Sequence, residues 1–178
     1  MSIKLAILGI LSCQPSTGYD LKKIIEESTV MYWSGNNNQI YKSLVQLLEQ
    51  GLVTHEVQHQ ESSPSKKIYT ITDKGEAELK SWALTPPELP ELKKSFLTQL
   101  AWADLLSPEE LDNLLLAYEN ELNMQILLLQ EKKRRGLFAP NRTTREIYLW
   151  ERIDDNIVSS YRHELNWVRE IRQELKRG

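Results

Sequence analysis

Apolar residues recur at helical spacing as far as Leu48, switch to partial alternation between Leu52 and Thr72, and return to helical spacing from Asp73 onward. The two periods belong to different backbones, so this double switch limits the first half of the chain to helices, then a hairpin, then a helix. Residues 2–12 read as a first helix, with Ser2 as its cap and Leu5, Leu8 and Leu11 on one stripe, ended by Gln14-Pro15. Ser16 or Thr17 caps a second helix from Gly18 to Ser28, with Leu21, Ile24 and Ile25 on its apolar face. Val30-Met31-Tyr32-Trp33 reads as a short extended piece and Ser34-Gly35-Asn36-Asn37 as a turn. A third helix from about Asn37 to Gln50 carries Ile40, Leu44, Leu47 and Leu48, and Gly51 stands where helices end in a left-handed residue.

The alternating runs Leu52 to Gln60 and Lys66 to Thr72 are separated by the polar tip Glu61-Ser62-Ser63-Pro64-Ser65, the punctuation of a hairpin. Asp73-Lys74-Gly75-Glu76 reads as a capping box opening a fourth helix that carries Ala77, Leu79 and Trp82 and stops at Pro86-Pro87. Three prolines among Pro86-Pro87-Glu88-Leu89-Pro90 make a stiff connector, which divides the chain into residues 1–87 and 88–178. Beyond it the pattern is helical. Residues 93–106 hold Phe96, Leu97, Leu100 and Ala101, and Ser107-Pro108-Glu109-Glu110 opens a helix that Lys132-Lys133-Arg134-Arg135-Gly136 closes. Thr143-Thr144-Arg145-Glu146 opens a last long helix to about Lys176.

The expected fold is therefore mainly α: an N-terminal winged helix-turn-helix with a two-stranded β wing over residues 1–87, plus a C-terminal helical dimerisation and effector domain over residues 88–178. Such a domain lays one helix in the DNA major groove while a preceding helix crosses the backbone. The third helix is the candidate reader. At about 100° per residue, Asn38, Lys42 and Gln46 lie opposite its apolar face, with Gln39 and Tyr41 flanking. Asn and Gln bond base edges in pairs, whereas Tyr and Lys suit phosphates. With Tyr19 on the second helix and Lys66 and Lys67 beside the hairpin tip, the candidate DNA-binding residues are Tyr19, Asn38, Gln39, Tyr41, Lys42, Lys66 and Lys67.

Charge speaks mildly the other way. The chain carries a net charge of -3, and residues 1–87 hold 8 lysines against 9 carboxylates. Nucleic-acid binding must rest on where the cations sit, and the competing reading is a protein–protein interaction module on the same scaffold. An enzyme is not expected: no P-loop, GxGxxG, HExxH or nucleophile elbow occurs, and Glu109-Glu110 and Asp154-Asp155 are neighbours that diverge on a helix. His55 and His59 share a strand face without a third ligand near in sequence, so no metal and no cofactor is expected. The apolar run Leu5 to Leu11 is too short for a membrane span, and the lone Cys13 suits a reducing compartment, so the expected location is the cytoplasm.

Leu5-Ala6-Ile7-Leu8-Gly9-Ile10-Leu11 followed by Ser16-Thr17-Gly18-Tyr19-Asp20-Leu21-Lys22-Lys23 resembles the opening of the PadR family of bacterial regulators. Asn38-Gln39-Ile40-Tyr41 with Leu44, Leu47 and Glu49-Gln50-Gly51-Leu52-Val53 resembles that family's recognition-helix segment, and Lys67-Ile68-Tyr69-Thr70-Ile71-Thr72-Asp73-Lys74-Gly75 its second wing strand and the entry to its fourth helix. Pro87-Glu88-Leu89-Pro90, Phe96-Leu97 and Ala103-Asp104-Leu105-Leu106-Ser107-Pro108-Glu109-Glu110 are similar to the longer subfamily with a helical C-terminal domain. Lys42 replaces a frequent proline, and the Glu61-Ser62-Ser63 tip lacks a frequent Gly-Arg. The resemblance implies a homodimer on a palindromic double-stranded operator, usually as a repressor, with phenolic or other aromatic effectors in some relatives. A last helix of some 30 residues independently asks for a partner along Ile157, Tyr161, Leu165, Val168 and Ile171. Trp102 and Trp150 are the candidates for an aromatic effector pocket, against the plainer reading of packing.

Overall fold

The computed structural model describes residues 2–28, 31, 38–60, 63–89, 94–135 and 140–177. The expected extended piece at Val30 to Trp33, apart from Met31, the turn before the third helix and the tip residues Glu61 and Ser62 lie outside the described residues. The chain forms two compact units, Met1–Glu88 and Leu89–Gly178.

The first unit runs α1 (Ile3–Leu11), β1 (Ser16–Thr17), α2 (Gly18–Glu27), α3 (Asn38–Glu49), β2 (Val53–Gln60), β3 (Ser63–Ile71) and α4 (Asp73–Ala83). It is a winged helix whose sheet has three antiparallel strands in the order β1-β3-β2, one more than the hairpin expected from sequence. The added strand pairs Ser16 with Tyr69 and Thr17 with Ile68. Two residues are too few to show a period, so Ser16 and Thr17 read only as capping residues. Thr17 is indeed also the N-cap of α2, with a complete capping box to Asp20.

α1 lies at the centre of this unit. Ile3, Ala6, Ile7, Leu8, Ile10 and Leu11 are all buried, whereas Leu5 of the expected stripe is only half-buried. A helix that is apolar all round belongs inside, and α1 packs against α2, α3, α4 and β3. Leu21 and Ile25 of α2 and Leu44 and Leu47 of α3 complete the fully buried set.

The end of α3 is tied down by three kinds of bond. Gly51 takes φ +68°, which permits the Leu52 N–H to reach the Leu47 carbonyl at 2.9 Å and the Gly51 N–H to reach that of Leu48 at 2.9 Å. This is a Schellman closure, with Leu52 buried beneath it. The chain entering α4 then bonds the same turn. The Thr72 hydroxyl donates to the Gly51 carbonyl at 2.8 Å, the Thr72 N–H to that of Leu52 at 3.1 Å, and Lys74 Nζ to that of Gln50 at 2.7 Å. The same Thr72 hydroxyl accepts the Gly75 N–H at 3.1 Å. The cap of α4 is therefore Thr72, one residue before the expected box at Asp73, because only Thr72 can serve both the helix and the turn. A Cβ at Gly75 would collide with the Leu52 carbonyl oxygen.

The second unit contains α5 (Ser95–Ala101), a 3₁₀ turn (Ala103–Leu105), α6 (Pro108–Arg134) and α7 (Thr144–Leu175). Ser107 caps α6 in a full capping box with Glu110, and Pro108 stands in the first turn. α6 and α7 run antiparallel, since Asp112 meets Arg172, Glu119 meets Arg169 and Lys133 meets Asp155. Phe96, Leu115, Leu122, Ile126, Leu165 and Val168 form the core, with Tyr118 and Trp167 against it. Phe96 stacks on Tyr118 at 3.7 Å between centroids and meets Trp167 edge-on at 6.3 Å. The Tyr118 hydroxyl donates to Glu164 at 3.1 Å. Burial, reinforced by the Glu164 carboxylate, pushes this phenol up to about 12.

A charged ladder fastens the outer end of the helix pair. Arg172 holds Asp112 through two bonds of 2.6 and 3.0 Å and reaches the buried Glu119 at 3.3 Å. Arg169 reaches the other Glu119 oxygen at 3.3 Å. Arg172 and, less strongly, Lys176 hold the Asp112 carboxyl at about 2 against an ordinary 3.8. Among the described residues no helix is long and apolar enough to cross a membrane.

Two outcomes are expected. Gly75→Ala should lower stability by roughly 1–3 kcal/mol, because the new methyl displaces backbone rather than a movable side chain; an unchanged midpoint in urea would contradict the close approach at Leu52. Asp112 has a depressed folded-state pKa, so its contribution is present above 3.8 and lost as pH falls through about 2. Asp112→Asn should therefore melt below wild type at neutral pH, and the two melting temperatures should converge across that acid window. A gap that persists down to pH 2 would place the effect elsewhere.

Candidate nucleic-acid interface

α3 has one buried and one exposed face. Ile40, Ser43, Leu44 and Leu47 are buried, and their spacing turns Asn38, Tyr41, Lys42 and Val45 outward with Gln39 beside them. The outward row thus follows positions 38, 41, 42 and 45, whereas Gln46, read as part of it from sequence, is half-buried. Val45 belongs to this row although the sequence pattern does not single it out. It is 54% exposed on a helix whose other aliphatic side chains are wholly or partly covered. Continuing the 38–41–42 spacing by one turn reaches it, but an apolar side chain is not a polar reading group. An apolar atom on a reading helix suits the methyl of thymine.

The row combines Asn and Gln, which pair with adenine edges, one Lys, and a Tyr whose hydroxyl suits a phosphate. Residues 1–87 contain no arginine, so the arginine–guanine contact is missing from this domain.

Tyr19 is 68% exposed at the start of α2. Gly18, immediately before it, is buried, and a Cβ there would come within 2.7 Å of Tyr41 Cε1. The ring of Tyr41 therefore lies against the first turn of α2. Tyr69 of β3 adjoins the same place. Its phenol is raised from the ordinary value, first by burial and then by the neighbouring Tyr41. His55, paired with Tyr69 across the ribbon, holds its ring 5.8 Å from that of Tyr69.

Lys66 and Lys67 are both exposed on β3, opposite Gln58 and Val57. Strand alternation sends them to opposite faces of the ribbon. Lys67 shares the face of Tyr69, the face that adjoins Tyr41, and Lys66 shares that of Ile68. Asn38, Gln39, Tyr41 and Lys42 are thus gathered on one helix face, Tyr41 borders the turn that carries Tyr19, and the two wing lysines are divided between the two sides of the wing.

Residues 7–81 match the model of the transcriptional regulator PadR-like family. Over that stretch the chain is PadR-like in sequence. It is 34% identical over 113 residues to the negative transcriptional regulator PadR of Bacillus subtilis (strain 168), covering 63% of this chain and 62% of that protein. The aligned part is thus less than two thirds of that relative's length. Among solved structures, Bacillus subtilis PadR in complex with operator DNA superimposes with a TM-score of 0.84 at 26% identity, covering 97% of this chain and 98% of that one. Bacillus subtilis PadR in complex with p-coumaric acid superimposes with a TM-score of 0.79 at 24% identity, covering 98% of each chain.

The residues expected to meet a partner copy are placed differently from one another. Leu165 and Val168 are buried in the core of their own unit, covered by Leu115 and Leu122 of α6, and Tyr161 and Ile171 pack partly on that core. Ile157 is half-buried. Part of the long α7 stripe is therefore covered within the chain. The large apolar side chains that remain exposed include Met124, Leu127 and Leu128 on α6 and Ile147, Tyr148, Leu149 and Ile153 on α7. Trp102 stands 69% exposed after α5, and Trp150 is half-buried on α7. Among the described residues no three His, Cys, Asp or Glu side chains are grouped to hold a metal.

Proposed function

We propose that this PadR-like chain is a sequence-specific regulator that binds a palindromic double-stranded operator as a homodimer, acts as a repressor, and leaves DNA when a small aromatic effector binds. The observation that carries this reading is the likeness, over nearly the whole chain, to Bacillus subtilis PadR in complex with operator DNA, joined to an exposed α3 row of base- and phosphate-bonding side chains. In this reading Asn38, Gln39 and Val45 face bases, Tyr19, Tyr41 and Lys42 face the backbone, and Lys66 and Lys67 hold it from the wing. With Asn and Gln as the paired readers and no arginine in residues 1–87, the contacted steps are A·T-rich.

The homodimer is assigned to the apolar side chains left exposed on α6 and α7. Met124, Leu127, Leu128, Ile147, Tyr148, Leu149 and Ile153, open to water on two long helices, form the kind of surface that soluble proteins cover by association. The proposed effector site lies near Trp102 and Trp150, and p-coumaric acid, bound by the Bacillus subtilis protein, is an example of the chemical class it would take. An effector moves an equilibrium only by its preference for one state, so an inducer of this kind must bind better when the two α3 helices are spaced wrongly for the operator.

The second reading, a winged helix serving a protein partner, is favoured by one observation: 8 lysines against 9 carboxylates in residues 1–87. Salt separates the two. Fluorescence anisotropy on a duplex from the chain's own upstream region should show tight binding that weakens steeply with salt, and a scrambled duplex should bind far more weakly. Lys66→Ala with Lys67→Ala should lower affinity for both duplexes alike and reduce the salt slope by roughly 2 per protomer. Equal affinity for native and scrambled duplexes at every salt concentration would favour the protein partner.

A further inference from the structure

We infer that Gly18 is a positioning residue for DNA binding: its missing side chain leaves a slot that seats the ring of Tyr41 against the first turn of α2, so that the Tyr41 hydroxyl is held ready for a backbone phosphate. This rests on the DNA-binding reading above and names what prepares one of its contacts.

Tyr41 is half exposed, and its outer side is open to solvent. Its inner side faces Gly18: a Cβ there would lie 2.7 Å from Tyr41 Cε1 and 3.4 Å from Cδ1, so the ring would have to swing out of its place. Gly18 cannot simply shift away. β1 pairs Ser16 with Tyr69 and Thr17 with Ile68, and the Thr17 hydroxyl and N–H are both committed to Asp20. The strand and the cap hold the backbone on one side of Gly18, and helix α2 holds it on the other. Tyr69, 8% exposed, pairs with Ser16 in the sheet and is close enough to feel Tyr41 electrostatically. The third strand thereby acquires a purpose: it sets the height of the α2 turn against α3. A phenol held in one rotamer loses less entropy on meeting a phosphate than one that is free to turn.

The test is a double-mutant cycle on the full chain, read by operator-duplex anisotropy and by thermal melting. Gly18→Ala should weaken binding to the operator duplex roughly ten- to a hundredfold, the range of a single hydrogen bond to a charged group, and Tyr41→Phe should do the same. The salt slope should not change, since no cation is lost. In a Tyr41→Ala background Gly18→Ala should cost nothing further, because the small side chain leaves space for the new methyl. Melting should show the same coupling. Gly18→Ala lowers the midpoint with Tyr41 present and leaves it unchanged or raised in the Tyr41→Ala background, since alanine suits a helix better than glycine.

An equal loss of affinity in both backgrounds would overturn the proposal while leaving DNA binding intact. Absence of coupling in melting would show that no such seat exists, whatever the chain binds. Coupling in melting with no duplex bound by any form, wild type included, would refute the DNA reading and with it the phosphate role of the seat.

Discussion

The turn after α3 is the constraint on which the first unit depends. The carbonyls of Gln50, Gly51 and Leu52 all turn toward the entry of α4, and Lys74, Thr72 and the close approach of Gly75 answer them. An exposed turn with three unanswered carbonyls would fray, and the orientation of α3 would drift with it. Because Thr72 follows β3 directly, the bonds that stop α3 also set where the wing leaves the body of the domain. α3, β3 and α4 are thereby fixed to one another by bonds to backbone carbonyls.

The second unit is held by different means. A single aromatic group, Phe96 stacked on Tyr118 and edged by Trp167, pins α5 to the helix pair. The ladder of Asp112, Glu119, Arg169 and Arg172 aligns α6 with α7. Its partly exposed pairs add little stability each. Their use is in register, since a bidentate Arg172–Asp112 pair tolerates little sliding. Most of the large apolar residues exposed on α6 and α7 lie toward the other end, in the second half of α6 and the first half of α7.

Much of the fold was legible because the signals were local. Gly51 after an apolar helix marks a left-handed stop, Ser107-Pro108-Glu109-Glu110 marks a start, and the change of period marks the hairpin. What was not legible depended on distant partners. Thr72 and Asp73 are both good caps, and only the Gly51 carbonyl, 21 residues away, decides for Thr72. β1 is a strand solely because Tyr69 and Ile68 are there to pair with it. The stripe through Leu165 and Val168 announced burial without saying against what; α6 of the same chain supplies the cover. At the candidate interface the polar row of α3 could be read from helical geometry. Val45 could not, because its apolar side chain carries no mark of exposure, and neither could Gly18, whose significance is a contact with Tyr41.

In the proposed reading two copies of α3 contact one operator from one face of the duplex. Hydroxyl-radical footprinting of the full chain on duplexes enriched for binding tests it most directly. Two protected half-sites of related sequence are expected, inverted with respect to each other, with centres one helical turn apart or a whole multiple of it, about 10–10.5 base pairs per turn. A single protected patch, or two patches on opposite faces of the duplex, would contradict it.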